Sequence, residues 1–389
     1  MHLHSSPAVY IHLFMTACVR TAYAPRAHAA LMFAALACLA CARAAAVPPM
    51  GAEPLLTAAA VRDVTWLSDS SALAVNTDRA LVLVEAHGPR VLSGPDAVLS
   101  PDGKSILFAD AQGRLRAMDA GSGAVTDLGL YGAAPRWAPE GRRFAYIADG
   151  RCAPGAEAWF CPPAGLVAAD MSAGELVPLA QGAGADGGYD WLPGASGVVY
   201  YSRGELGIAR ADAATNSLLT KVAPFPCPES NPCPASVAVA RHAPRAAVFL
   251  FNDRNGDRAW DAGDAAALWA FDTDTGDIVH TEQRAWFLNP EELRAGLRPR
   301  GIAWRPDGGA ICFTGRDETG FYLMFHWFTG EAPPTLLRMQ GRPELPRWSP
   351  DGQAVAFVLV RQDSSSATGT MSELRLLRFS DNGAPGAAR

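Results

Sequence analysis

Beyond residue 46 the chain has no run of the ~20 consecutive apolar residues that a membrane-spanning helix needs, so a bundle of such helices is excluded. It has no G-x-S-x-G elbow and no H-E-x-x-H pair, and with them go the usual serine-hydrolase and zinc-protease signatures. It also lacks a basic excess: the formal net charge is −6, whereas affinity for nucleic acid comes mainly from basic residues meeting phosphates. Nucleic acid is therefore not an expected partner.

The first 46 residues lack acidic residues altogether and carry three arginines, Arg20, Arg26 and Arg43, with an apolar run from Ala29 to Ala42. This is the layout of an export signal, and Ala42, Ala44 and Ala46 offer A-x-A cleavage sites. Cys38 and Cys41 raise the rival of a lipid anchor, but Leu36 and Leu39 stand two residues before them where three is usual. Residues 1–46 are thus expected to be a signal peptide, and the mature chain, at net charge −9, to be periplasmic or secreted.

Five cysteines remain after residue 46, and four fall into two close pairs, Cys152 with Cys161 and Cys227 with Cys233. In an oxidising compartment these are expected to form two local disulfides. Neither pair has the C-x-x-C spacing usual for zinc. Cys312, between Ile311 and Phe313, reads as a buried small hydrophobe.

What the chain does have is a repeat. Large apolar anchors recur at Trp66, Leu99, Trp137, Trp191, Val239, Trp304 and Trp348, about 47 residues apart on average. Seven and nine residues after each stand Leu73/Val75, Ile106/Phe108, Phe144/Tyr146, Val198/Tyr200, Ala246/Val248, Ile311/Phe313 and Val355/Phe357. A two-residue period of such side chains marks a half-buried strand, so each pair should face one layer. Between anchor and strand lies a tight turn, complete as Pro101-Asp102-Gly103, Pro306-Asp307-Gly308 and Pro350-Asp351-Gly352, degraded as Pro139-Glu140-Gly141, Pro193-Gly194 and Ser68-Asp69-Ser70. Proline presets φ, aspartate caps its own turn and glycine accepts positive φ.

Each unit then continues with further strands, such as Leu268 to Asp272 before Thr273-Asp274-Thr275-Gly276. Four strands in 40–50 residues make a propeller blade. The expected fold is all-β, a β-propeller of seven four-stranded blades over residues 47–383, with 384–389 as a tail. The weak Val239 copy leaves six as the alternative count. The last unit ends after Leu374 to Phe379 without a fourth strand, while Pro54-Leu55-Leu56-Thr57 precedes the first anchor with no blade of its own. The N-terminal strand is therefore expected to complete the last blade and hide its open edge.

Trp348-Ser349-Pro350-Asp351-Gly352 and Trp304-Arg305-Pro306-Asp307-Gly308 resemble the W-S-P-D-G core of TolB-type, WD40-like propeller repeats, over roughly Glu53 to Gly383. The resemblance implies the fold; the separate α/β domain that precedes the TolB propeller is not expected here.

One loop carries ligand-type chemistry. From Asp253 to Asp264, oxygen side chains stand at positions one, three, five, nine and twelve: Asp253, Asn255, Asp257, Asp261 and Asp264, with the Ala259 carbonyl at position seven. This spacing lets one loop wrap Ca²⁺ with hard oxygen ligands. Gly256 stands at position four rather than six, and Asp264 replaces the longer bidentate glutamate, so the loop is closer to a calcium loop grafted into a hairpin than to an EF-hand. The competing reading is a solvated hairpin turn without metal. A bound ion would be structural.

Gly182 to Gly188 follows no βαβ pattern and reads as a linker, not a phosphate loop. Asn289-Pro290-Glu291-Glu292-Leu293 has the residues of an N-capped helix start. The histidines beyond residue 46, His87, His242, His280 and His326, fall in separate stretches. No catalytic or organic-cofactor residue is assigned. The expected function is an exported, monomeric binding module for a protein, peptide or glycan; the alternative is a hydrolase or lyase with its site at the mouth of the central channel.

Overall fold

The computed structural model describes residues 54–152, 162–171, 175–181, 188–202, 205–210, 216–218, 236–252, 265–282, 301–317, 319–328, 333–363 and 369–379. Among these residues the structure is all-β, with one 3₁₀ turn at Pro193–Ala195 and no helix long and apolar enough to cross a membrane. The expected signal segment, the loop at 253–264 and the helix start at 289–293 lie outside the described residues.

Strands are numbered in chain order. One sheet holds β2 (Val61–Trp66), β3 (Leu73–Thr77), β4 (Leu81–Glu85) and β5 (Gly88–Ser93). A long sheet holds β6 (Ala97–Leu99), β7 (Ser105–Ala109), β8 (Arg114–Asp119), β9 (Val125–Trp137), β10 (Arg143–Ala148), β11 (Gly165–Asp170) and β12 (Leu176–Gln181). The next holds β13 (Tyr189–Trp191), β14 (Gly197–Ser202), β15 (Glu205–Arg210) and β16 (Asn216–Leu218), followed by β17 (Ser236–Val239), β18 (Arg245–Asn252), β19 (Ala265–Asp272) and β20 (Ile278–Glu282). Then come β21 (Ile302–Trp304), β22 (Ala310–Asp317), β23 (Gly320–Trp327) and β24 (Thr335–Met339). The last sheet is β25 (Arg342–Trp348), β26 (Ala354–Gln362) and β27 (Thr370–Arg378), with β1 (Leu56–Ala58) on its outer edge.

The repeat read from the sequence is a repeat in hydrogen bonding. Every anchor is the antiparallel partner of the residue seven positions later: Trp66 with Leu73, Leu99 with Ile106, Trp137 with Phe144, Trp191 with Val198, Val239 with Ala246, Trp304 with Ile311 and Trp348 with Val355. The N–H after each anchor donates across the turn to the carbonyl five residues on, and Ala240 to Arg245 in the degenerate fifth copy matches the others at 2.8 Å. The turns need positive φ where glycine was read: Gly103, Gly308 and Gly352 lie at 75°, 71° and 70°. In the degraded first copy Ser70 takes that conformation at 62°.

Alternation along these strands explains the core. The plus-seven and plus-nine residues of each unit pack toward the preceding unit; the plus-eight residues, Ala74, Leu107, Ala145, Val199, Ala247, Cys312 and Ala356, pack toward the following one. Seven apolar clusters result, each between two successive units. In the closing cluster Ala356 and Val358 of the last unit meet Leu73 and Val75 of the first, so the ring is closed. The N-terminal strand does join the last sheet, with Leu56, Thr57 and Ala58 opposite Leu374, Glu373 and Ser372.

The expectation of a separate four-stranded sheet for every unit is corrected in one place. Five sheets have four strands, but β6 to β12 form one sheet of seven. The cause is β9: its Val125 to Tyr131 stretch pairs with β8, and it runs on without a loop so that Gly132 to Trp137 pairs with β10. Gly132 makes the handover possible, because a Cβ there would strike the Ile147 carbonyl and the Tyr146 ring.

Candidate functional site

The loop proposed for calcium lies outside the described residues, so its ligands Asp253, Asn255, Asp257, Ala259, Asp261 and Asp264 are not placed. Its flanks are: Asn252 and Ala265 are opposite one another across β18 and β19, the arrangement of a loop grafted into a hairpin. Cys152 is exposed after β10, and Cys161, Cys227 and Cys233 lie outside the described residues. Cys312 is buried in β22, and burial pushes its thiol well above the usual range.

Among the first strands of the units, with the second half of β9 counted as one, β13, β17, β21, β25 and β2 lie successively side by side and β6 lies beside β9. Three of them carry an ionised residue directly before the anchor, namely Arg136, Asp190 and Arg347. The anchor and this residue point to opposite neighbours, since side chains alternate along a strand. Anchors reach back: Trp66 Nε1 donates to the Arg347 carbonyl at 3.0 Å, Trp137 Nε1 to Val98 at 3.1 Å and Trp191 Nε1 to Arg136 at 3.2 Å. The ionised residues reach forward. Arg136 Nη1 donates to the Tyr189 carbonyl at 2.8 Å; Asp190 Oδ2 accepts from the Val239 N–H at 2.9 Å; Arg347 Nη2 meets Asp63 Oδ1 at 2.9 Å and its Nε donates to the Val64 carbonyl at 3.0 Å.

Electrostatically these side chains form one group. Burial works against the charge of Arg136, yet Tyr189, Asp190 and Asp63 outweigh it and raise its pKa. Arg136 is exposed. Burial pushes the Asp190 carboxyl up, opposed by Arg136, by the N–H groups of Val239 and Trp191, and by Arg347. Arg241, in the turn after β17, is lowered by burial and favoured by Asp190. The Tyr189 hydroxyl, 2.6 Å from the Ala134 carbonyl and 2.9 Å from that of Ala145, is pushed up by burial, and its ring lies 5.2 Å from the Arg136 guanidinium. Arg136, Arg241 and Arg347 are thus each coupled to Asp190, and Arg136 and Arg347 also to Asp63.

Sequence reasoning did not single out these five residues. The signal was present: a charge directly before a tryptophan anchor breaks the apolar rule of an inner strand, in three of seven copies. Asp63 and Arg241 carry no such mark.

The fold does bring two scattered histidines together. His280 of β20 and His326 of β23 stack with ring centroids 3.9 Å apart and planes at 24°, with Phe328 edge-on to His326 at 4.7 Å. Burial pushes both imidazoles down; His280 also lowers His326, and Glu282 opposes both shifts. Among the described residues no group of three or more His, Cys, Asp or Glu is arranged to hold a metal.

The fold defines the class: a propeller-like arrangement of antiparallel sheets. Among solved structures the chain is similar to a chain of the mitotic checkpoint complex, with TM-score 0.52, 14% identity and coverage of 86% of this chain and 93% of that one. It is also similar to an oligogalacturonate lyase in complex with manganese, with TM-score 0.52, 12% identity and coverage of 82% and 89%. An oligogalacturonate lyase from Vibrio parahaemolyticus gives TM-score 0.50, 12% identity and coverage of 85% and 94%. At these identities the likeness is one of fold alone. No family model matches the chain, and no curated protein sequence matches it.

Proposed function

We propose that this protein is an exported binding propeller of the TolB-like kind, with seven blades of which the second and third share β9, and that it engages a protein, peptide or glycan at the mouth of its central channel. The observation that carries this reading is the fate of the channel carboxylates. Asp190 accepts backbone N–H groups at both oxygens, from Trp191 at 2.9 Å and Val239 at 2.9 Å, and Asp63 is paired with Arg347. Asp190, held at both oxygens, joins two units, which supports a structural role for it over that of a general acid or base with a free oxygen facing substrate. Function on such a fold resides in the site and not in the architecture.

The test is capture of periplasmic and secreted proteins, peptides and glycans on the immobilised mature chain, beside an Arg136→Gln, Arg241→Gln double variant. Retention that the variant loses supports the reading. Turnover of a captured glycan or peptide by the wild-type chain would replace it with the hydrolase or lyase alternative. The structural calcium of the 253–264 loop and the pairs Cys152–Cys161 and Cys227–Cys233 belong to the same proposal, since export supplies both calcium and an oxidising environment. Peptide mapping without reductant checks the two disulfides.

A further inference from the structure

We propose that the outer edge of the seam between the fifth and sixth units is an acid-sensitive switch: it stays closed while His280 and His326 are neutral, and β20 parts from β23 when the pair takes up protons. The geometry is a stack of rings across the seam. Side chains alternate along β23, and Met324 and Phe328 pack against Leu268 and Ala270 of the fifth unit, so His326 between them faces the same way. Its partner His280 stands opposite Ala270 on the outer strand β20. The two half-buried rings lie 3.9 Å apart and nearly parallel, and Phe328 meets them edge-on, 6.0 Å from His280 and 4.7 Å from His326. Among the described residues neither imidazole has a hydrogen bond or an ion pair, so ring contact alone joins them.

Two imidazolium rings at that spacing repel one another, and the surroundings do not compensate both. Glu282, two residues beyond His280 on β20, favours the charged form of each, but it is one carboxylate for two rings. From β18, Arg245 adds a positive charge, its guanidinium 5.0 Å over the Phe328 ring. At the end of β19, Asp272 is occupied by the N–H groups of Asp274 and Thr275. On β23, Tyr322 is buried and its hydroxyl pushed up, so it stays neutral, while Asp317 of β22 and Arg338 of β24 hold one another. A second feature weakens the same seam. Trp66, Trp137 and Trp191 each donate to the carbonyl just before the preceding anchor; for Trp304 that carbonyl belongs to Ala238, yet the buried Trp304 Nε1 has no partner among the described residues. Trp304 instead stacks on Phe328 at 5.3 Å, which links the anchor to the histidine stack. The turns stay tied, because the His242 N–H donates to the Pro306 carbonyl at 2.8 Å and Arg245 Nη1 to the Gly308 carbonyl at 2.7 Å. The outer edge can therefore open locally without the ring coming apart.

The sign follows from linkage. Both imidazoles titrate below the ordinary 6.5 while stacked, so the seam is closed above about pH 6.5 and opens as pH falls through the stacked values. The test is amide hydrogen exchange on the mature chain at about pH 7.5 and about pH 5, corrected for the intrinsic pH dependence of exchange. Peptides covering β20 and β23 are expected to lose protection at least tenfold at the lower pH, and those covering β3 and β26 at the ring's closing seam to keep theirs. A His280→Phe, His326→Phe double variant keeps two stacked rings without their protons and should retain protection at both pH values. Glu282→Gln withdraws the acid that favours charge in the closed stack and should move the opening to higher pH, a shift that a merely structural role for Glu282 would not produce. Equal protection of β20 at the two pH values in the wild-type chain overturns the proposal, and so does the same acid-induced loss in the double variant. If the double variant does not fold, the imidazole proton resonances of the wild-type chain decide: titration of both rings below 6.5 with loss of the stacking shift supports the switch, and two independent titrations at the ordinary value overturn it.

Discussion

The indole N–H of Trp66 donates to the backbone carbonyl of Arg347 at 3.0 Å, joining the first inner strand to the last across 281 residues of chain. Trp137 and Trp191 repeat this contact with Val98 and Arg136. The anchors are thus more than apolar bulk: each tryptophan has both a ring to bury and one donor to place.

A contrast among the anchors follows. Trp66→Phe removes a placed hydrogen bond, with a cost of about 1 kcal/mol beyond the lost ring volume. Among the described residues the buried Nε1 of Trp304 has no hydrogen-bond partner, so Trp304→Phe removes an unsatisfied donor and should cost less. Urea-unfolding midpoints give the ranking; an equal or larger loss at Trp304 would show that the indole contact contributes nothing measurable.

The shared strand β9 depends on Gly132. Gly132→Ala places a methyl group against the Ile147 carbonyl, backbone that cannot swing aside, and is expected to destabilise by about 1–3 kcal/mol. Gly94→Ala meets nothing within 4 Å and is the matched control, expected to leave the unfolding midpoint unchanged.

The stacked histidines make stability depend on pH. Both imidazoles have folded pKa values below the ordinary 6.5, so the unfolded chain takes up protons first as pH falls. Their contribution is therefore complete above about pH 6.5 and is lost as pH drops through the folded values. Melting between pH 8 and pH 5 should show this decline, and His326→Gln should flatten it. A slope unchanged in the variant would assign the decline to other groups.

Calcium gives a separate test. Melting temperature should rise on titration with calcium to millimolar levels and should not rise in an Asp253→Asn, Asp257→Asn double variant. No rise in the wild-type chain would leave the loop as a solvated turn.

Much of this fold is legible in the sequence because one spacing does the same physical work seven times. A residue and its partner seven positions later define a hairpin, and alternation then decides which neighbour each side chain meets. Even Val239 and Ala246, with no Pro-Asp-Gly turn between them, keep the register through the Ala240 to Arg245 hydrogen bond. The merging of two units was not legible, because Leu128-Gly129-Leu130-Tyr131-Gly132 looks like a strand followed by a turn, and only the register across both faces shows that β9 continues. The charges before the anchors were missed for a different reason: their meaning comes from residues 49 to 284 positions away, and no local pattern records that.

The closed ring is tested most directly by cross-linking its two ends. Ala58 and Ser372 are antiparallel partners, at a separation that disulfide geometry tolerates. In an Ala58→Cys, Ser372→Cys variant, mild oxidation of the folded protein followed by peptide mapping is expected to yield a linked pair of peptides from the two termini. Thiols that stay unlinked in folded protein would mean that the first strand does not lie on the last sheet.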